Sequence, residues 1–447
     1  MRTGSRVEAT AKTGGARQVH KTFGKKTARI NLGWTCPLSS VVPRGLLISF
    51  RERITLYALL TSLTALSIDA LLPGLRAIGA DVGTSPPLAT QHIISLFIFG
   101  MAFGELLLGP LSDAIGRRKA LVLGLCLYAA GTVVAMLAHS LAMVILGRFL
   151  QGIGVAGPKI ATRAMIRDQF EGDAMARVLS FMFSLFILVP MLAPALAQGL
   201  MAIGGWRSVF AAYLAIAAGL GLWLLARQPE TLPVARRIPF RPGPLLSNAR
   251  RILGNRRVAL LIVATGLVFG AQLLYLSTAA DLFQDAYAIK ETFPFYFAVL
   301  ATGIGLASFI NARLVQRFGM DRMARAAFAG LASAGFLMTG ACVLSGGRLP
   351  LVALMLFVFA AFFAIGLLFG NLNAMAMRSL GKVAGLGAAL IASGSSLVAT
   401  LFAISLGSFY DGSAVNLSLG FLIAGIGSFV LAEMANRGDA STVEAVR

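Results

Sequence analysis

Long apolar runs, broken by short polar stretches rich in arginine, occupy most of this chain between residues 54 and 435. Each run holds about 20 residues, the length an α-helix needs to cross a hydrocarbon core of roughly 30 Å. Twelve spans are predicted, at residues 54–72, 89–108, 120–138, 141–161, 179–201, 209–225, 258–277, 293–310, 326–344, 351–375, 384–406 and 414–435. A membrane β-barrel would instead show short segments with apolar and polar positions alternating. The pattern predicts an all-α polytopic membrane protein.

The polar breaks carry a second signal. Loops after spans two, four, six, eight and ten hold clustered cations: Arg117 to Lys119, then Arg163 with Arg167 and Arg177, residues 227–257, residues 313–325, and Arg378 with Lys382. Opposite loops hold Arg76, Arg207, Lys290 and Arg348 singly, or none. Positive charge collects on the cytoplasmic side, so both termini are expected there. The longest connection, residues 226–257, is basic and contains Pro229, Pro233, Pro239, Pro242 and Pro244. It is read as a cytoplasmic linker between two six-helix bundles, residues 54–225 and 258–435, followed by a tail at 436–447. Residues 1–53 are basic, with Glu8 and Glu52 as the only acids and no apolar run. They read as a disordered cytoplasmic arm and not as a secretory signal peptide.

Composition fits this reading and removes others. The chain is 57% hydrophobic and 13% charged, too apolar for a soluble protein of 447 residues. A net charge of +21 would suggest nucleic acid in a soluble protein, but here the cations sit in the arm and alternate loops, so no nucleic-acid partner is expected. Cys36, Cys126 and Cys342 are scattered, and His20, His92 and His139 form no ligand cluster, so neither metal nor disulfide framework is expected. The run Gly152-x-Gly154-x-x-Gly157 matches a dinucleotide fingerprint formally, but no strand precedes it. Its small residues serve close helix contact instead, as do Gly100 with Gly104 and Gly366 with Gly370. No catalytic constellation appears, and the chain does not read as an enzyme.

Ionisable groups at membrane depth are costly, about 2.5–3.5 kcal/mol each on insertion scales, and therefore mark functional candidates. Asp69 lies in the outer third of span one, where a desolvated acid suits proton uptake and release; the alternative is a structural acid at the rim. Glu105, about 12 Å deeper than Asp113 along span two, is either a second proton site or a partner for cytoplasmic arginines. Arg148 in span four needs an acid, a carbonyl or water, and Asp69 and Glu105 are its candidate partners. Gln151 and Lys159, on the same span, are candidate substrate contacts; Lys159 alternatively reaches for the cytoplasmic surface. Pro190 and Pro194 remove backbone hydrogen bonds and are expected to bend span five. Asn371 and Asn373 in span ten bond either substrate or neighbouring helices. An aromatic stripe including Tyr275, Phe295, Tyr296, Phe297 and Phe357 reads as packing or a pocket wall.

The loop after span two reads Gly109, Pro110, Leu111, Ser112, Asp113, Ala114, Ile115, Gly116, Arg117, Arg118, Lys119. It resembles the signature loop of major facilitator superfamily transporters. A degraded echo follows span eight, with Gly319 opposite Gly116, as parallel six-helix repeats would give. Ser67-Ile-Asp69 with Pro73, Arg148 to Gly152, Arg167-Asp168 and Gly205-Trp206-Arg207 are similar to the bicyclomycin-resistance (Bcr/CflA) branch of drug/proton antiporters, over residues 51–435. The chain departs from that branch at Glu105, where Gln is common, at Lys159, and at Ala193-Pro194-Ala195-Leu196-Ala197-Gln198, where the branch has Gly-Pro-x-x-Gly-Gly.

The resemblance implies the major facilitator fold, with twelve transmembrane helices as two six-helix bundles. It implies a monomer in the bacterial inner membrane, exporting a small, largely hydrophobic compound in exchange for protons. The proton gradient would be the energy source, with no cofactor. Asp69, Glu105 and Arg148 would couple protons, while Gly109, Asp113, Gly116, Arg117 and Arg118 would latch the halves in the outward-facing state. An alternative is a carrier of an anionic metabolite held by Arg148 and Lys159; a more distant one is a membrane sensor or scaffold that transports nothing.

Overall fold

The structure, a computed structural model, describes residues 49–84, 88–378, 380 and 384–444. Nearly all of the basic arm, and Lys382, lie outside the described residues. The helices are α1 (Phe50–Asp69), α2 (Leu75–Val82), α3 (His92–Ile115), α4 (Arg117–Met136), α5 (Leu141–Gln169) and α6 (Gly172–Arg227). After the linker helix α7 (Pro242–Leu253) come α8 (Arg256–Tyr287), α9 (Phe293–Phe318), α10 (Met320–Leu344), α11 (Leu351–Met377), α12 (Ala384–Gly407) and α13 (Val415–Glu444). No strand occurs among the described residues. We call the end bearing the cation-rich loops the basic end and the other the outer end.

Local chemistry sets the helix starts. Ser49 accepts a hydrogen bond from the Glu52 amide at 3.2 Å, Ser140 from that of Met143 at 3.3 Å, and Asn255 from that of Arg257 at 3.0 Å, each satisfying an otherwise orphaned donor. Helix α6, 56 residues long, holds two spans. Its backbone leaves helical geometry at Gly204 and at Gly205, where φ is +65°, a conformation that favours glycine. The fifth and sixth spans thus meet within α6 at this two-residue kink, which makes twelve spans among the described residues. Pro190 and Pro194 lie inside the fifth span, and the non-helical angles fall beyond them, at Gly204 and Gly205.

Helices α1 and α3 to α6 form the first six-span bundle, and α8 to α13 form the second. Within the first, α5 packs against α3 and α4; within the second, α8 packs against α12 and α13. The seam between α4 and α5 depends on glycine: a Cβ on Gly124 would lie 2.7 Å from the Gly154 carbonyl oxygen and 2.8 Å from Gly157 Cα. Such backbone contact is how membrane helices gain dispersion energy where no hydrophobic drive exists between them. The bundles meet along α3 with α12 and along α6 with α9.

Candidate functional site

Arg148 is fully buried in the first bundle. Its Nε donates to the Ile93 carbonyl at 3.3 Å, Nη1 to Gln151 Oε1 at 2.6 Å and Nη2 to the Ser67 carbonyl at 2.9 Å. The guanidinium also lies 4.1 Å from the centre of the Phe97 ring. Gln151 Nε2 donates to Thr132 Oγ1 at 2.7 Å, and the Ser67 and Tyr128 hydroxyls bond at 2.7 Å. Tyr213 donates to the Leu66 carbonyl at 3.2 Å. One cation therefore organises α1, α3, α4, α5 and the sixth span.

This corrects two expectations. Neither Asp69 nor Glu105 pairs with Arg148, because three neutral acceptors and a ring face already satisfy the guanidinium. Gln151 is fully buried with both ends of its amide engaged, so it is not a free substrate contact in this state. Asp69, at the outer end of α1, is 6% exposed, and no hydrogen bond or ion pair reaches it among the described residues.

Glu105 finds its partner elsewhere: Lys159 Nζ lies 2.5 Å from its carboxylate. The Glu105 side chain is 1% exposed and that of Lys159 19%, so Lys159 turns inward and does not snorkel to the surface. Helices α3 and α5 run in the same direction from the outer end. Ile93 to Glu105 and Arg148 to Lys159 therefore span similar rises, about 16–18 Å, and the two cations occupy separate levels. Arg148 and Lys159 do not form one anion site. The two departures from the branch pattern, Glu105 and Lys159, are each other's counter-charge. Arg163, one turn beyond Lys159, is exposed, and sequence reasoning counted it only as loop charge. Its i, i+4 spacing from Lys159 was the available signal.

The signature loop forms a tight polar cluster at the basic end. Arg117 pairs with Asp113 and, at 3.1 Å, with Asp168, and donates to Ser112 at 3.2 Å. Gly116 has φ +105°, and a Cβ there would meet Glu230 Oε2 at 2.5 Å. Glu230, from the linker, accepts from the Arg117 amide at 2.9 Å and the Arg118 amide at 3.2 Å. An anionic cap thus sits on the N-terminus of α4. The Ile238 amide bonds the Asp113 carbonyl at 3.1 Å, and the Arg118 side chain bonds the Leu225 carbonyl. These partners belong to the first bundle and the linker; Gly109 faces Ala389 of α12. The echo is visible in the backbone, since Gly319 opens α10 with φ +78° and ψ 154° and Gly116 opens α4 with φ 105° and ψ 152°.

At the outer end the bundles are clasped. Arg76 of α2 donates to Asp281 of α8 at 2.6 Å and also pairs with Asp285, which accepts from the Tyr410 hydroxyl at 3.1 Å. Beside this clasp lies a cavity of about 210 Å³, lined by residues including Gln91, His92, Ser95, Ala403 and Gly407. Thr400 Oγ1 donates to the Ser95 carbonyl at 3.4 Å across the same seam. Sequence reasoning missed the clasp, although a cation and two acids at an end where charge is scarce were its trace. In the second bundle, Asn371 is buried and donates to Asn311 at 2.8 Å and to the Leu367 carbonyl at 2.8 Å, so it joins α9 to α11; Asn373 is exposed. Tyr275 and Phe297 are buried in the aromatic stripe, and Phe295 is exposed.

Two six-span bundles, with ionisable groups held inside and an ion-paired seam between them, define a membrane carrier. The profile of the Major Facilitator Superfamily matches residues 57–403, and the chain belongs to that family. It is 27% identical to the uncharacterised MFS-type transporter YdgK of Bacillus subtilis over 351 residues, covering 76% of this chain and 85% of that one. It is 28% identical to a bicyclomycin resistance protein homolog of Haemophilus influenzae over 275 residues, 61% of this chain and 68% of the relative. To the multidrug resistance protein MdtL of Salmonella heidelberg it is 29% identical over 362 residues, 80% and 88% of the two chains. The crystal structure of a D-xylose-proton symporter shares the fold with TM-score 0.68 at 15% identity, covering 87% of this chain and 97% of that one. The protein is an integral membrane transporter of this superfamily, with a small-molecule substrate, and not an enzyme.

Proposed function

We propose that the protein is a proton-coupled antiporter that exports a small, largely apolar compound across the bacterial inner membrane, with both termini in the cytoplasm. The observation that carries this reading is Asp69, a buried carboxyl with no ion-pair partner among the described residues, on the same helix whose Ser67 carbonyl anchors Arg148. A carboxyl without an ion-pair partner gains and loses a proton without breaking a salt bridge. Arg148 orients the helix that bears it and fixes that helix to α3 and α5. The similarity to relatives named for bicyclomycin and multidrug resistance supports a drug as cargo.

In the proposed cycle the clasped outer end is the closed one, and in this state the carrier opens toward the basic, cytoplasmic end. Cargo enters there, the bundles rock about the α3–α12 and α6–α9 seams, and Asp69 takes a proton from outside as cargo leaves. In the outward-facing state the loop cluster around Asp113, Arg117 and Arg118 closes the basic end against the second bundle.

The reading is tested by drug sensitivity in a pump-deficient bacterium expressing the parent or Asp69→Asn. Expression of the parent should raise resistance to at least one lipophilic compound, and Asp69→Asn should abolish that gain. Equal resistance from both at matched membrane levels would refute the role given to Asp69.

A further inference from the structure

The described ion pairs between the two bundles centre on Arg76, which stands between two carboxylates one helical turn apart on α8. Arg76 belongs to the first bundle; Asp281, Asp285 and Tyr410 belong to the second. Opening the outer end must separate α2 from α8 and withdraw Arg76 from both acids. Two carboxylates then remain without their cation, with the Asp281 side chain 12% exposed and that of Asp285 34% exposed. Like charges at this spacing, in a partly desolvated site, resist double ionisation.

The two acids do not lose equally. Tyr410 rides with α8, so its hydroxyl can keep donating to Asp285 as the bundles part. Arg76 is the partner described for Asp281, and it departs. The other titratable groups described at this seam are His92 at the head of α3, which shares the outer cavity with Tyr410, and Asp411, which accepts from the Ser413 amide at 3.0 Å and whose neighbour Gly412 lies beside Asp285. Helix α11 carries no titratable residue, and in α13 the first is Glu433, near the basic end. No cation on the second bundle faces Asp281 from these elements.

We infer that Asp281 is an outward-facing proton site for which Arg76 is the competing ligand. In the closed state the carboxylate is bound by the guanidinium; in the open state it takes a proton from the external medium and becomes a neutral acid. External protons therefore favour opening, and release of the proton must precede reclosure by Arg76. This deepens the antiporter reading and rests on it for its role in transport, since it adds a loading step at the outer end to the exchange at Asp69.

The test needs no cargo. With Cys36, Cys126 and Cys342 replaced by alanine, Ala403→Cys places a reporter in the outer cavity, where Ala403 is 1% exposed. Proteoliposomes of defined orientation are treated from outside with a membrane-impermeant maleimide, and rates are normalised to Ser345→Cys, an exposed outer position, at the same pH. Between about pH 8 and about pH 6 the normalised rate should rise roughly fivefold or more. Asp281→Asn and, separately, Arg76→Gln should label fast at both pH values, and Asp281→Glu should restore the pH response. A parent rate that does not change with pH, or a parent-like pH response in either Asp281→Asn or Arg76→Gln, overturns the inference. Asp69→Asn should keep the labelling response while losing drug resistance, so failure of the antiporter reading and failure of this site are seen separately.

Discussion

The Glu105–Lys159 pair is the most decisive place to perturb the interior. At 2.5 Å the attraction is about 7 kcal/mol for an effective dielectric of 20. Desolvation of the two ions, several kcal/mol each, offsets most of that, so the intact pair contributes little net stability. Breaking it is another matter. Lys159→Met leaves a carboxylate that is 1% exposed with no ion-pair partner among the described residues and only the longer-range attraction of Arg163, a loss of about 3–5 kcal/mol by analogy with other buried pairs. Glu105→Gln leaves an ammonium with 19% exposure and a flexible stem that can reach water, so its cost should be smaller, about 1–2 kcal/mol. The double variant should return to within about 1 kcal/mol of the parent. Unfolding of purified protein by sodium dodecyl sulfate, followed by far-ultraviolet circular dichroism, would read all four corners of the cycle. With those losses the coupling should be about 3–7 kcal/mol. If the two single losses simply add, within about 0.5 kcal/mol, the pair is not a unit and the argument fails.

Other perturbations have equally definite outcomes. Gly116→Ala should lower stability by about 1–3 kcal/mol, because it meets both a positive φ and the Glu230 carboxylate; a thermal-unfolding scan in detergent checks this. Glu230→Gln should cost about 1–2 kcal/mol, since one amide oxygen can still accept from an α4 amide while the new NH2 cannot, and the charge at the helix N-terminus is lost. Arg148→Lys should abolish drug resistance despite keeping the charge, since one ammonium cannot reach the Ile93, Ser67 and Gln151 acceptors together; parent-like resistance at matched expression would refute it. Gln151→Leu should weaken resistance less, because it removes one of those three acceptors.

The sequence carried the skeleton well because membrane spanning is a local property. Apolar run length and alternating loop charge gave twelve spans, and Gly205 marked the kink between the fifth and sixth where only two residues leave helical geometry. The signature loop was equally legible, since Gly116, Asp113 and Arg117 lie within one turn of one another. Partner choice was not local. Arg148 needs an acid, a carbonyl or water by its depth alone, and the candidates Asp69 and Glu105 lose to carbonyls of residues 55 and 81 positions away. Arg76 meets Asp281 across 205 positions, a register set by how the bundles dock and not by any pattern in either segment. Glu105 and Lys159 were each noted as unusual, but only the parallel run of α3 and α5 makes one the answer to the other.

The docking of Glu230 and Ile238 onto the turn at Gly116 has a consequence for how the polypeptide can be divided. The leash between the bundles is nailed to the first bundle at its first third, and α7 packs on α8 and α12 with Ile252 buried, so the slack that accommodates rocking lies between Ile238 and Pro242. A transporter made from two co-expressed fragments should tolerate a nick within that stretch and keep its amino-terminal fragment whole. A nick ahead of Glu230 would strip the cap from α4 and hand it to the wrong fragment.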